Sequence, residues 1–147
     1  MDMAKCELTQ QWFVKAAHDL GTARKAAADP DPYLDMAMFH CQQAAEKAVK
    51  GFLLFHDVEF EKTHDLDALV SLAIPADKRF ELWLETAHQL TPYASASRYP
   101  FTVEVSREQF ERALTTATKF CEFVLSLLPA QVHPPRECGK RPGPATA

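Results

Sequence analysis

The chain has 147 residues, of which 47% are hydrophobic and 24% charged, proportions that fit one soluble domain with a real core. A net charge of −4 and a pI of about 5.8 weigh against a broad basic surface for sequence-independent nucleic-acid binding, which needs clustered Lys and Arg. No apolar run approaches the roughly 20 residues of a transmembrane helix. Four glycines leave little material for hairpins or phosphate-cradling loops, and "FTVEV" (101–105) is the sole strand-like stretch. An all-α fold follows. Cys6, Cys41, Cys121 and Cys138 form no CxxC spacing, and the absence of a secretory signal points to a reducing cytoplasm.

In chain order, Thr9 is placed to cap a first helix reaching about Ala28, with an apolar stripe of Phe13, Ala16, Ala17, Leu20, Ala23 and Ala27. "DPDPY" ends it. Asp31 and Pro32 then suit the cap and first turn of a second helix reaching about His56. Its stripe is Leu34, Met38, Cys41, Ala45, Ala48, Phe52 and Phe55, and Ala37, Ala44 and Gly51 lie alongside to admit a close neighbour. Gln43, Glu46, Lys47 and Lys50 follow i, i+3, i+4, i+7 spacing and share another face. Three readings of that row stand side by side: a solvated face with an intrahelical Glu46–Lys50 pair, a subunit interface with pairing across a two-fold axis, or an anion site.

"THDLDALVSLA" predicts a short third helix capped by Thr63, with Asp65 and Asp67 near its positive end. A fourth is expected from about Asp77 to Leu90, burying Phe80, Trp83, Leu84, Ala87 and Leu90. After a long connection with two prolines, "SREQ" (106–109) reads as a capping box for a fifth helix carrying Phe110, Ala113, Leu114, Ala117, Phe120, Cys121, Val124 and Leu128. From Pro129 the chain is proline-rich, with almost no apolar content after Val132, so disorder is expected. The expectation is an up-down bundle of four long helices and one short one over 1–128, followed by a disordered tail over 129–147.

Three segments in order, "HCQQAAEKAVKGFLLF", "THDLDALV" and "SRYP", together with "WFVKAAHDLGTA" at the start, resemble the HEPN family. This all-helical domain is named for nucleotide binding in higher eukaryotes and prokaryotes. The resemblance covers about Leu8 to Leu128. It implies a helical bundle that dimerises, pairs with a small nucleotidyltransferase and binds a nucleotide. Many such proteins are ribonucleases with an Arg-x(4–6)-His motif shared across a dimer. Arg98 matches the Arg position, but Thr102, Val103 and Glu104 follow it without a His, and no other Arg supplies the pattern. A near-neutral imidazole is what moves protons at such a site. The resemblance is therefore to the non-nuclease "SRYP" type, with no catalytic residue, metal or cofactor expected. RNA is the less favoured partner.

Two further places carry polar chemistry. His64 and Asp65 are either the start of a helix cap or, with Arg98, part of a polar pocket. Arg98 and Tyr99 precede Pro100, which biases Tyr99 to extended backbone; they are either loop anchors or, through the planar guanidinium, a phosphate contact. The enzyme alternative is a diverged ribonuclease toxin using Arg98 with His64 or with a His of a second subunit. His40 followed by His64-Asp65 resembles the HD phosphohydrolase order, but the chain is short for that family and the flanking residues match HEPN better.

Overall fold

The computed structural model describes residues 2–95 and 104–135. Arg98 and Tyr99, and the tail beyond 135, lie outside the described residues. Five α-helices occur in this part: α1 Met3–Ala26, α2 Leu34–Phe55, α3 Leu66–Ala73, α4 Leu84–Leu90 and α5 Arg107–Ser126. Three are long and two are short, not four and one. There is no strand among the described residues, and "FTVEV" is described only at Glu104 and Val105, where no element forms.

The first helix begins well before Thr9, at Met3. Asp2 is its cap, accepting from the Ala4 and Lys5 amides at 3.0 and 3.3 Å. Thr9 instead occupies a position of the buried stripe, which runs Cys6, Thr9, Phe13, Ala16, Leu20 and Ala23 in steps of three and four. Ala17 is only half-buried. The reason is register: Cys6 extends the apolar period one turn earlier than the aromatic residues announce it.

Most of α2 is interior. Fourteen of its 22 residues are buried, because α1, α3 and α5 pack around it. Tyr33, not Asp31, is the residue at its start, and it provides no side-chain cap; the Asp31 carboxylate accepts the Tyr33 hydroxyl at 2.9 Å instead. The α1–α2 contact is the most extensive in the fold. A Cβ placed on Gly51 lies 2.9 Å from the Phe13 ring and 3.1 Å from Trp12 Cβ. Glycine is required there by space, not by backbone conformation.

Asp65, not Thr63, caps α3, accepting from the Ala68 amide at 3.2 Å, while the Thr63 hydroxyl accepts from the Asp65 amide. The expected fourth helix is divided: a 3₁₀ stretch, Lys78–Trp83, precedes α4. Phe80 and Trp83 are three apart, so a three-residue turn sets both on one side. They meet Phe52, Phe120 and Phe123 in an aromatic cluster with ring centroids 4.7 to 5.4 Å apart for Phe52–Phe80, Phe80–Phe123, Trp83–Phe120 and Trp83–Phe123. The capping box at Ser106 and Gln109 forms as read.

Pro129 does not end the packed chain. Val132 is fully buried against α1, and the His133 ring Nε2–H donates to the Leu125 and Leu128 carbonyls at 2.8 and 3.0 Å. Leu125 is in the last turn of α5 and Leu128 just beyond it, so the ring N–H adds a donor where carbonyls run short of backbone partners. The Gln10 amide then donates to the His133 carbonyl at 2.8 Å.

Two glycines are expected to respond in opposite directions to an added methyl group. Gly51→Ala gains about 1 kcal/mol of helix propensity but forces a buried ring and a Cβ apart, which costs about 1–3 kcal/mol. The expected net is destabilisation by about 1 kcal/mol in urea denaturation. A Cβ added at Gly21 meets nothing within 4 Å, so Gly21→Ala should stabilise by about 0.5–1 kcal/mol; a gain at both sites would refute the close-approach account.

Candidate functional site

The polar row of α2 faces inward. Glu46 is the centre, its side chain only 4% exposed. One carboxylate oxygen accepts the Lys50 ammonium at 3.1 Å, one turn along the same helix. The other accepts the His64 Nδ1–H at 2.9 Å and the Gln43 amide at 3.4 Å. A carboxylate can only accept, so Nδ1 of His64 carries the proton in this contact. The Gln43 amide also donates to Gln42 Oε1 at 2.7 Å, and the Gln42 amide donates to the His64 carbonyl at 3.1 Å. A continuous chain of hydrogen bonds therefore ties the middle of α2 to the residue just before the α3 cap.

Lys50 is buried with its carboxylate, and its ammonium stands 5.9 Å from the ring centroids of both Trp12, on α1, and Phe60, in the loop after α2. Aromatic faces attract a cation, so the ammonium trades bulk water for one carboxylate and two rings. Lys47 turns the opposite way. It forms a short ion pair with Asp19 of α1, whose other oxygen accepts the His40 Nδ1–H at 2.8 Å. Asp19 itself is buried.

Helical spacing groups Gln43, Glu46, Lys47 and Lys50 on one face, and the structure divides them. Gln43, Glu46 and Lys50 join His64, while Lys47 joins Asp19 and His40. Spacing alone misses Gln42, Asp19 and, as a partner of Asp19, His40. A signal existed for Asp19: it lies within the Ala16-Leu20-Ala23 stripe of α1, where a carboxylate needs a partner on the facing helix. Gln42 gave none, since an amide between two stripe residues reads as neutral. Asp65 sits at the α3 cap and is exposed. The expected proximity of His64 to Arg98 falls outside the described residues.

Two thiols lie close to this layer. Burial pushes both Cys41 and Cys121 up to about 12, so they remain protonated hydrophobes; the Cys121 thiol donates weakly to the Ala44 carbonyl at 3.7 Å. Among the described residues no group of three or more His, Cys, Asp or Glu is placed to hold a metal ion. No helix among them is long and apolar enough to cross a membrane.

An all-helical bundle built round this α2 segment is what the HEPN domain family describes, and the model of that family matches residues 9–127. The chain belongs to the HEPN family. No curated protein and no solved structure matches it. The HEPN match begins at Thr9 and ends at Leu127, so Asp2 and Val132, which complete α1 and close the bundle, stand just beyond it.

The ion pair at the centre of this HEPN domain lends itself to a double-mutant test. Glu46→Leu leaves a buried ammonium unpaired and should cost about 3 kcal/mol or more in denaturant unfolding. Adding Lys50→Met should restore a large part of that loss, because removing both charges is far less costly than removing one. Strict additivity of the two substitutions would contradict the buried pairing.

Proposed function

We propose that this HEPN protein acts by binding rather than by cleaving RNA: a homodimer that docks a small nucleotidyltransferase, a nucleotide, or both. The observation that carries this reading is the missing imidazole. No Arg in the chain is followed by a His at the spacing of the ribonuclease motif, and an acid–base group is what metal-independent RNA cleavage requires.

The geometry of α2 adds support and refines the assignment of roles. Lys47 and Lys50 each already hold a carboxylate, Asp19 and Glu46 respectively, so their charge is spent inside the monomer. On this reading the row Gln43, Glu46, Lys47 and Lys50 shapes the scaffold, together with His64 and Asp65 where α3 begins. A phosphate contact then falls to Arg98, with Tyr99 beside it. These two lie in the chain between Ser95, which follows α4, and Ser106, which caps α5, and a connection on a rigid scaffold suits recognition.

Calorimetric titration of the size-characterised protein with ATP and GTP tests the proposal. Micromolar binding is expected in the parent protein, with at least a roughly tenfold loss in Arg98→Ala, since a charge-assisted phosphate contact contributes about 1.5–3 kcal/mol. Absence of heat with both nucleotides would leave partner docking as the function. RNA cleavage that survives purification and vanishes in Arg98→Ala would instead establish the diverged ribonuclease.

A further inference from the structure

A cleft of about 250 Å³ opens between α2, α4 and α5, away from the Glu46 network. Its floor is apolar and buried: Met38, Leu90 and Ala113. Thr86, Tyr93 and Thr116 also line the cleft, and their hydroxyls have no hydrogen-bond partner among the described residues. Among the described residues no Asp or Glu lines it, and Arg112 is the one charged lining residue.

Arg112 is held only loosely. Its guanidinium meets Glu108, one turn back on α5, at 3.4 Å, and the two side chains are 70% and 81% exposed. An exposed pair of this kind contributes little, so a ligand anion competes with Glu108 at small cost. A planar guanidinium gives a carboxylate two parallel hydrogen bonds, and the free hydroxyls supply further donors.

We infer that this cleft binds a small organic carboxylate with a compact apolar body, its ring or branched chain on Met38, Leu90 and Ala113 and its carboxylate on Arg112. Size agrees with that class. A cavity of about 150 Å³ accommodates benzene, so the space here takes an aromatic ring with a carboxylate attached. Met38 adds an adaptable surface to the floor. The inference does not rest on the nucleotide reading; ATP and GTP test that one, whereas the probes here carry no phosphate.

The experiment is a titration of isotope-labelled protein with benzoate and, separately, benzyl alcohol, following the amide signals of Ala113 and Thr116. Benzoate should bind roughly tenfold more tightly than the alcohol, the difference expected of one charge-assisted contact. Arg112→Gln should bring benzoate to the level of the alcohol and leave the alcohol unchanged. Glu108→Gln, which removes the competing carboxylate, should tighten benzoate by roughly twofold to fivefold. Both substitutions are on the exposed face of α5 and leave the core untouched. Equal affinity for the two probes overturns the carboxylate assignment, as does indifference of benzoate to both substitutions. Signal changes confined to residues outside the cleft overturn the site itself.

Discussion

A carboxylate in the middle of the most buried helix is costly unless every oxygen is answered. Glu46 is answered by Lys50 from its own helix, by His64 from the start of the next element and by Gln43 beside it. Much of the surrounding structure can be understood as the means of keeping those partners in place. Phe60 and Trp12 stand over the Lys50 ammonium. Gln42 holds the His64 backbone so that the ring meets Glu46. The α2–α3 connection is consequently held by side-chain hydrogen bonds that run from the buried Glu46 and Gln42 to the half-exposed His64, and the buried end of such a network is costly to leave unsatisfied.

That arrangement requires α1 to lie close to α2. Gly51 provides the approach at one end, with the Phe13 ring and Trp12 Cβ in the space a methyl group would need. Nearer the start of α2, the same closeness brings Asp19 within reach of both His40 and Lys47. Two charged clusters thus hold α2 to different neighbours: Asp19 joins α1 to His40 and Lys47, and Glu46 joins α2 to His64 before α3. Each contains a carboxylate and a lysine, so charge is balanced locally rather than over the whole molecule. Within the HEPN domain the α2 segment holds the start of α3 in place through Gln42 and Glu46, which both meet His64.

Helix type and number were readable because periodicity is a local property. The stripes of α2 and α5 and the capping box at Ser106 needed only residues within a few turns of one another. Boundaries were less readable where two local signals competed. Thr9 has the chemistry of a cap, but Cys6 continues the stripe past it and Asp2 caps instead. The 3₁₀ stretch before α4 is likewise a tertiary outcome, since Phe80 and Trp83 turn toward an aromatic cluster contributed by α2 and α5. The proline-rich composition after Pro129 suggested a chain without a core, yet Val132 and His133 find partners on α1 and at the end of α5.

By itself the sequence determined an all-helical class, the order of the helices, the HEPN resemblance and the lack of the ribonuclease histidine. Each is either a periodicity or a pattern of residue identities along the chain. Only the tertiary structure decided that Gln43, Glu46 and Lys50 face inward and that Lys47 belongs with Asp19 and His40. A polar residue at helical spacing looks the same whether it meets water or a partner from a distant helix. Its environment is set by which neighbours surround α2, and those come from residues 12, 19, 60 and 64, far outside any window over which spacing along one helix can be read.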